Sequence, residues 1–311
     1  MASIPSVKKS YIALLIAVFG WGLSTTFIDF GIKYSDPYLF LALRFLLATL
    51  VMAPYILYTR KNAVFELFKH KTVYFIGFFE STGLLSQYIA QGIGVSAGLS
   101  ALISMMFILI VPFFAFFMLD EHFSLNHAFA IVLGLVGVFF IVTEGDLSRL
   151  GNGSAFGIFI LLISALSYAL YQLFTSKYTR IIHPQVDTLV LFFNVMIIIS
   201  IISGVSALTN AFFTPITFHF EAFIWIVLLV IFSTIIAFIA YFEGTKGLKA
   251  NTISIILLSQ ALVPFFVDIF ILRINYSPWI YFGGVIILVS MWFVIRVPTN
   301  DSPITLPIST E

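Results

Sequence analysis

Ten long apolar runs dominate this sequence and leave it few ways to fold. They cover residues 10–33, 37–59, 72–93, 96–118, 125–143, 154–176, 185–209, 219–242, 250–272 and 276–296. A helix needs about 20 largely apolar residues to cross the hydrocarbon core of a bilayer. Each run meets that length. Backbone polar groups must be satisfied within the lipid, so helices are the expected element. The runs do not alternate, which argues against a membrane β-barrel. Composition agrees: 61% of the 311 residues are hydrophobic and only 9% are charged, against roughly 25% charge in a soluble domain. A water-soluble enzyme, a nucleic-acid binder and a disordered scaffold are excluded. The expected fold is an all-α integral membrane protein of ten transmembrane helices in the cell membrane, with the lipid bilayer as its main partner.

Basic residues set the orientation. With the N-terminus inside, the inner segments carry Lys8, Lys9, Arg60, Lys61, Lys69, Lys71, Lys177, Arg180, Lys246, Lys249 and Arg296. The outer segments carry Lys33, Arg149 and Arg273. This bias places both termini in the cytoplasm. The first run, behind Lys8 and Lys9, is too long for a signal-peptide core and reads as the first span.

The chain also resembles itself. Val111-Pro112-Phe113-Phe114 returns as Val263-Pro264-Phe265-Phe266, and at the same offset Gln91-Gly92 meets Glu243-Gly244. Near the start of each half, Pro37 meets Pro184 and Phe45 meets Phe192. The expected units are residues 1–147 and 148–297, each with five spans, followed by a flexible tail, 298–311. An odd number of spans makes the second copy enter from the opposite side. That is the inverted repeat of many secondary transporters.

Several phrases resemble the EamA branch of the drug/metabolite transporter superfamily. They are Phe19-Gly20-Trp21-Gly22 in the first span, Pro37 with Arg44-Phe45-Leu46-Leu47-Ala48 in the second, and Ser96-Ala97 through Pro112 to Asp120-Glu121 around the fourth. The ninth span ends in Arg273-Ile274-Asn275 where that family usually repeats a glutamate. The resemblance covers nearly the whole chain. It implies two inverted five-helix repeats, a central cavity, alternating access, and export or exchange of small metabolites, amino acids or drugs.

Charges inside spans are costly and are default functional positions. Arg44 lies deep in span two, where it would grip an anionic substrate group, pair with Asp29 or Asp268, or form a gating pair. Glu80 lies in the middle of span three. It is a candidate for substrate binding or for carrying protons as the coupling ion. Gln87 and Tyr88 continue that stripe. Trp21, Tyr168, Tyr171, Gln172, Asn194, Tyr241 and Gln260 are expected to wall a polar-aromatic cavity, which suits organic molecules. The alternative for each is glue between helices. Asp29 and Asp268 are expected at an outer gate. Pro112 and Pro264 remove a backbone donor and are expected pivots.

No P-loop, nucleophile or acid/base constellation is present, and there are no cysteines. The expected function is secondary active transport of small organic metabolites, without cofactor or metal, by a monomer or weak homodimer. Efflux of hydrophobic drugs is the alternative, followed by a channel and an integral-membrane enzyme.

Overall fold

The computed structural model describes residues 7–95, 100, 103–121, 125–150, 155–263 and 277–296. Among the described residues, ten helices lie within or along the apolar runs. They are α1 (Val7–Gly31), α2 (Pro37–Leu67), α3 (Lys71–Gly92), α4 (Phe107–Leu119), α5 (Leu125–Thr143), α6 (Ala155–Lys177), α7 (Thr188–Ala211), α8 (Glu221–Thr245), α9 (Ala250–Leu257) and α10 (Pro278–Arg296). α6 runs on through a π turn, Tyr178–Ile182, and α9 through a 3-10 turn, Leu258–Leu262. Five described helices are long and apolar enough to cross a membrane: α1, α2, α6 with its π turn, α7 and α8. Large apolar side chains such as Tyr58, Phe113, Phe117, Phe156 and Leu208 stand outward, as on a surface that lipid covers.

Local chemistry starts the helices. Asp36 caps α2 by accepting from the Tyr38 and Leu39 amides, and Pro37 sits in the first turn, where its missing N–H costs nothing. Asp187 caps α7 in the same way through Leu189 and Val190. Asp187 also pairs with Arg60, at 2.6 Å, where α2 bends out of helical geometry.

The packing has its own symmetry. α2 lies along α7, α5 along α10 and α4 against α9, while α1 packs on α8 and α3 on α6. Exchanging the first five helices for the last five maps this pattern onto itself. Contacts this close need small residues. A Cβ at Gly20 would sit 2.6 Å from the Phe232 carbonyl oxygen, and one at Gly137 would sit 2.7 Å from that of Gly283. Gly20→Ala is therefore expected to push α1 off α8 and cost about 1–3 kcal/mol. A thermal melt in detergent that matches the parent protein would refute this.

α8 is not uniform. Its middle, Leu229–Ile236, is a π segment. Such wide turns loosen the backbone ladder and are frequent at functional sites.

Candidate functional site

The π segment of α8 receives Arg44. This side chain is 2% exposed, and all three nitrogens of its fork donate hydrogen bonds. Nε donates to Thr234 Oγ1 at 2.8 Å and Nη2 to the Ser233 carbonyl at 3.1 Å. Nη1 donates to Tyr88 Oη at 3.2 Å and Ser24 Oγ at 3.4 Å. The guanidinium also stacks over the Phe45 ring, 5.0 Å from its centre. Ser233 in turn donates to the Gly20 carbonyl at 2.7 Å. Arg44 thus ties α1, α2 and α3 to α8 through neutral oxygens. Among the described residues no carboxylate lies within ion-pair distance of it. Asp29, one expected partner, is half-buried on α1, where the charge of Lys33 acts on it. Asp268, the other, lies outside the described residues, as does Pro264.

Beside Arg44 lies a different group of side chains. Glu80 on α3 is 4% exposed, Tyr171 on α6 is 4% exposed and Tyr241 on α8 is fully buried. Among the described residues, Glu80 Oε2, Tyr171 Oη and Tyr241 Oη have no hydrogen-bond partner. Glu80 lies three residues before Gly83 on α3, and the Tyr168 ring of α6 packs against Gly83. The rings of Tyr171 and Tyr241 stack at 5.4 Å. Trp21 approaches Tyr241 at 5.0 Å and meets Phe238 edge-on at 5.1 Å. Tyr168 is positioned by Gln87, which accepts its hydroxyl proton at 2.8 Å, and by Gly83, where a Cβ would be 2.6 Å from the ring. Ser164 donates to the Gly83 carbonyl at 2.8 Å.

The other residues expected here lie apart from this group. Gln172 donates to the Ala250 carbonyl at 2.6 Å and to Ser254 Oγ at 2.8 Å. Asn194 donates to the Val64 carbonyl at 2.9 Å. Both hold one helix to another. Gln260 lies in the 3-10 turn after α9, whose backbone backs onto Gly22. Pro112 is buried within α4.

The structure adds a pair that the sequence left among the end charges. Asp120 ends α4 in a left-handed conformation, φ 52°, and the turn sends Glu121 inward. Glu121 Oε1 accepts from Arg180 Nη1 at 2.6 Å and from the Ala250 amide at 2.9 Å, and Oε2 accepts from the Asn251 amide at 3.2 Å. One buried carboxylate therefore joins α4, the π turn after α6 and the start of α9. The readable signal is that α9 begins after Lys249, which offers no side-chain cap. Nearby, Glu243 accepts from the Thr188 hydroxyl and meets Lys246 at 3.5 Å.

Known proteins match this architecture. The model of the EamA-like transporter family matches twice, over residues 8–143 and 155–296. One crystal structure of a protein aligns with a TM-score of 0.73 at 15% sequence identity, covering 92% of this chain and 96% of that one. At that identity the likeness concerns the fold. None of the curated proteins compared matches the chain.

Proposed function

We propose that this chain, which belongs to the EamA-like transporter family and so to the drug/metabolite transporter superfamily, is a secondary active transporter that exports or exchanges small organic metabolites. Members of that family are multi-pass membrane transporters rather than enzymes. In this reading all ten helices span the bilayer, both termini are cytoplasmic, and the two five-helix halves are inverted copies. Substrate binds where α1, α3, α6 and α8 meet, and access alternates between the two sides.

One observation carries the reading. Glu80, Tyr171 and Tyr241 bring polar atoms from three helices into one buried region and leave them unpaired. Each unsatisfied buried group costs about 1–3 kcal/mol. Water or a polar ligand that reached these atoms would satisfy them. A centre that gains by opening suits a protein that exchanges states.

Counterflow of labelled metabolites in proteoliposomes tests this. A transporter saturates and trades internal for external substrate, whereas conduction without exchange would establish a channel instead. Within the transporter reading, Glu80→Gln is expected to abolish the pH dependence of uptake. Unchanged pH dependence would remove the carboxyl from the coupling step.

A further inference from the structure

We propose that the groove between α1 and α8 binds one anionic phospholipid, with an acyl chain in the groove and the phosphate at Lys8 and Lys9. The inference needs the chain to be embedded in a membrane and is independent of what it carries. Two glycines draw these helices together. A Cβ at Gly244 would sit 2.7 Å from Leu14, and one at Gly20 would sit 2.6 Å from the Phe232 carbonyl oxygen. Along the outside of this seam lies a groove of about 320 Å³. One wall is the stripe Ile12, Leu15, Ile16 and Phe19 of α1, at the spacing of a single helix face. The other wall is Phe232 and Ile236 of α8. These six side chains are 40–55% exposed, so the groove opens outward and not to the protein interior. Around a chain that spans a membrane, outward means hydrocarbon.

The groove has the reach of one leaflet. From Ile12 to Gly20, α1 rises about 12 Å, close to half of a hydrocarbon core about 30 Å thick. Lys8 stands one turn before Ile12 on the same face, and Lys8 and Lys9 are both exposed. A phospholipid has its parts in this order: an apolar chain of one leaflet's depth, then a charged head. The lysines place positive charge where the head lies, so the favoured head is anionic. A helix from a second copy fits less well. Spread over that length, 320 Å³ leaves a cross-section of about 27 Å², which is narrower than a helix about 10 Å across.

The site also has a route to the interior. Phe232 and Ile236 both belong to the π segment of α8. Between them in the chain, Thr234 and the Ser233 carbonyl accept from Arg44, and the Ser233 hydroxyl donates to the Gly20 carbonyl. The segment thus turns one face to the groove and the other to the guanidinium. A chain seated in the groove packs on the outer face and steadies the segment that holds Arg44.

Native mass spectrometry of the full chain in detergent, titrated with phosphatidylglycerol or phosphatidylcholine of identical acyl chains, tests the proposal. The first phosphatidylglycerol is expected to bind about 25-fold more tightly than the first phosphatidylcholine, with about fivefold from each lysine. It should also slow hydrogen exchange across residues 229–236. Lys8→Gln/Lys9→Gln should remove the preference. Ile16→Trp fills the groove and should weaken both lipids about tenfold or more. Its melting temperature in lipid-free detergent should stay at the parental value, which separates loss of the site from misfolding. Equal binding of the two lipids to the parent chain, a preference that survives in the lysine variant, or a first site indifferent to Ile16→Trp would each overturn the proposal. So would a dimer that Ile16→Trp dissolves, because a second copy would then be the occupant. Glycerol phosphate, a head without chains, should not compete; competition would place binding at the lysines alone and overturn the groove.

Discussion

Glu121→Ala is expected to cost about 3–5 kcal/mol of stability. The charge that it abandons is Arg180, only 12% exposed at its side chain, and the amides of Ala250 and Asn251 lose their acceptor as well. Breaking a buried pair from one side leaves an uncompensated ion, which is worse than having no pair. The double variant Glu121→Ala/Arg180→Ala should therefore melt above the temperature that the summed single effects predict. Additive shifts would show that the two residues are not coupled. Because Glu121 also caps α9, its loss should raise hydrogen exchange in the first turn of α9. By contrast, the half-exposed Arg60–Asp187 pair is of the kind worth at most about 1 kcal/mol.

Arg44→Ala is expected to cost about 2–5 kcal/mol. The change leaves a hole and strands the Ser233 carbonyl inside the π segment of α8. Arg44→Met refills the volume without the donors and should fall between alanine and the parent. Arg44→Lys keeps the charge but presents it as a point, not a planar fork. It cannot serve Thr234 and Ser233 on one side and Tyr88 and Ser24 on the other, so most of the loss should persist. Thermal melts of the three variants check the order. An alanine variant with the parental melting temperature would show that the tie between α2 and α8 does not matter.

The helices were legible because hydrocarbon imposes a length on every span, and a run such as 185–209 has no competing reading. The buried charge of Arg44 was legible for the same reason: lipid exposure would be costly. Its partners were not. Thr234 and Ser233 lie about 190 residues away, and the π turn that frees the carbonyl has no marker in an apolar sequence. A carboxylate such as Asp29 was the natural guess, because hydropathy patterns predict charges pairing with charges. The neutral cradle follows from helix geometry. Gln172 and Asn194 show the same limit. An amide in a span reads alike whether it lines a cavity or holds a neighbouring backbone. Glu121 hid among the residues that mark span ends, where charge normally means water. The grouping of Glu80 with Tyr171 and Tyr241 was half visible, since all three sit in apolar runs. That their oxygens are left unpaired became clear only in three dimensions.

The wide turn in α8 has a consequence for phase. Trp225 comes before it and packs on Phe27 and Phe30 of α1. Tyr241 comes after it and packs on Trp21 of the same helix. In an uninterrupted α-helix, two residues sixteen positions apart point about 160° away from each other. Only one of them would then meet α1. The π segment spends more residues per revolution and takes back that angle. One helix thereby lays both aromatic contacts along a single neighbour. The segment is a phase corrector: deleting one residue from it would restore the ordinary ladder and rotate the tyrosine end of α8 out of step with the tryptophan end.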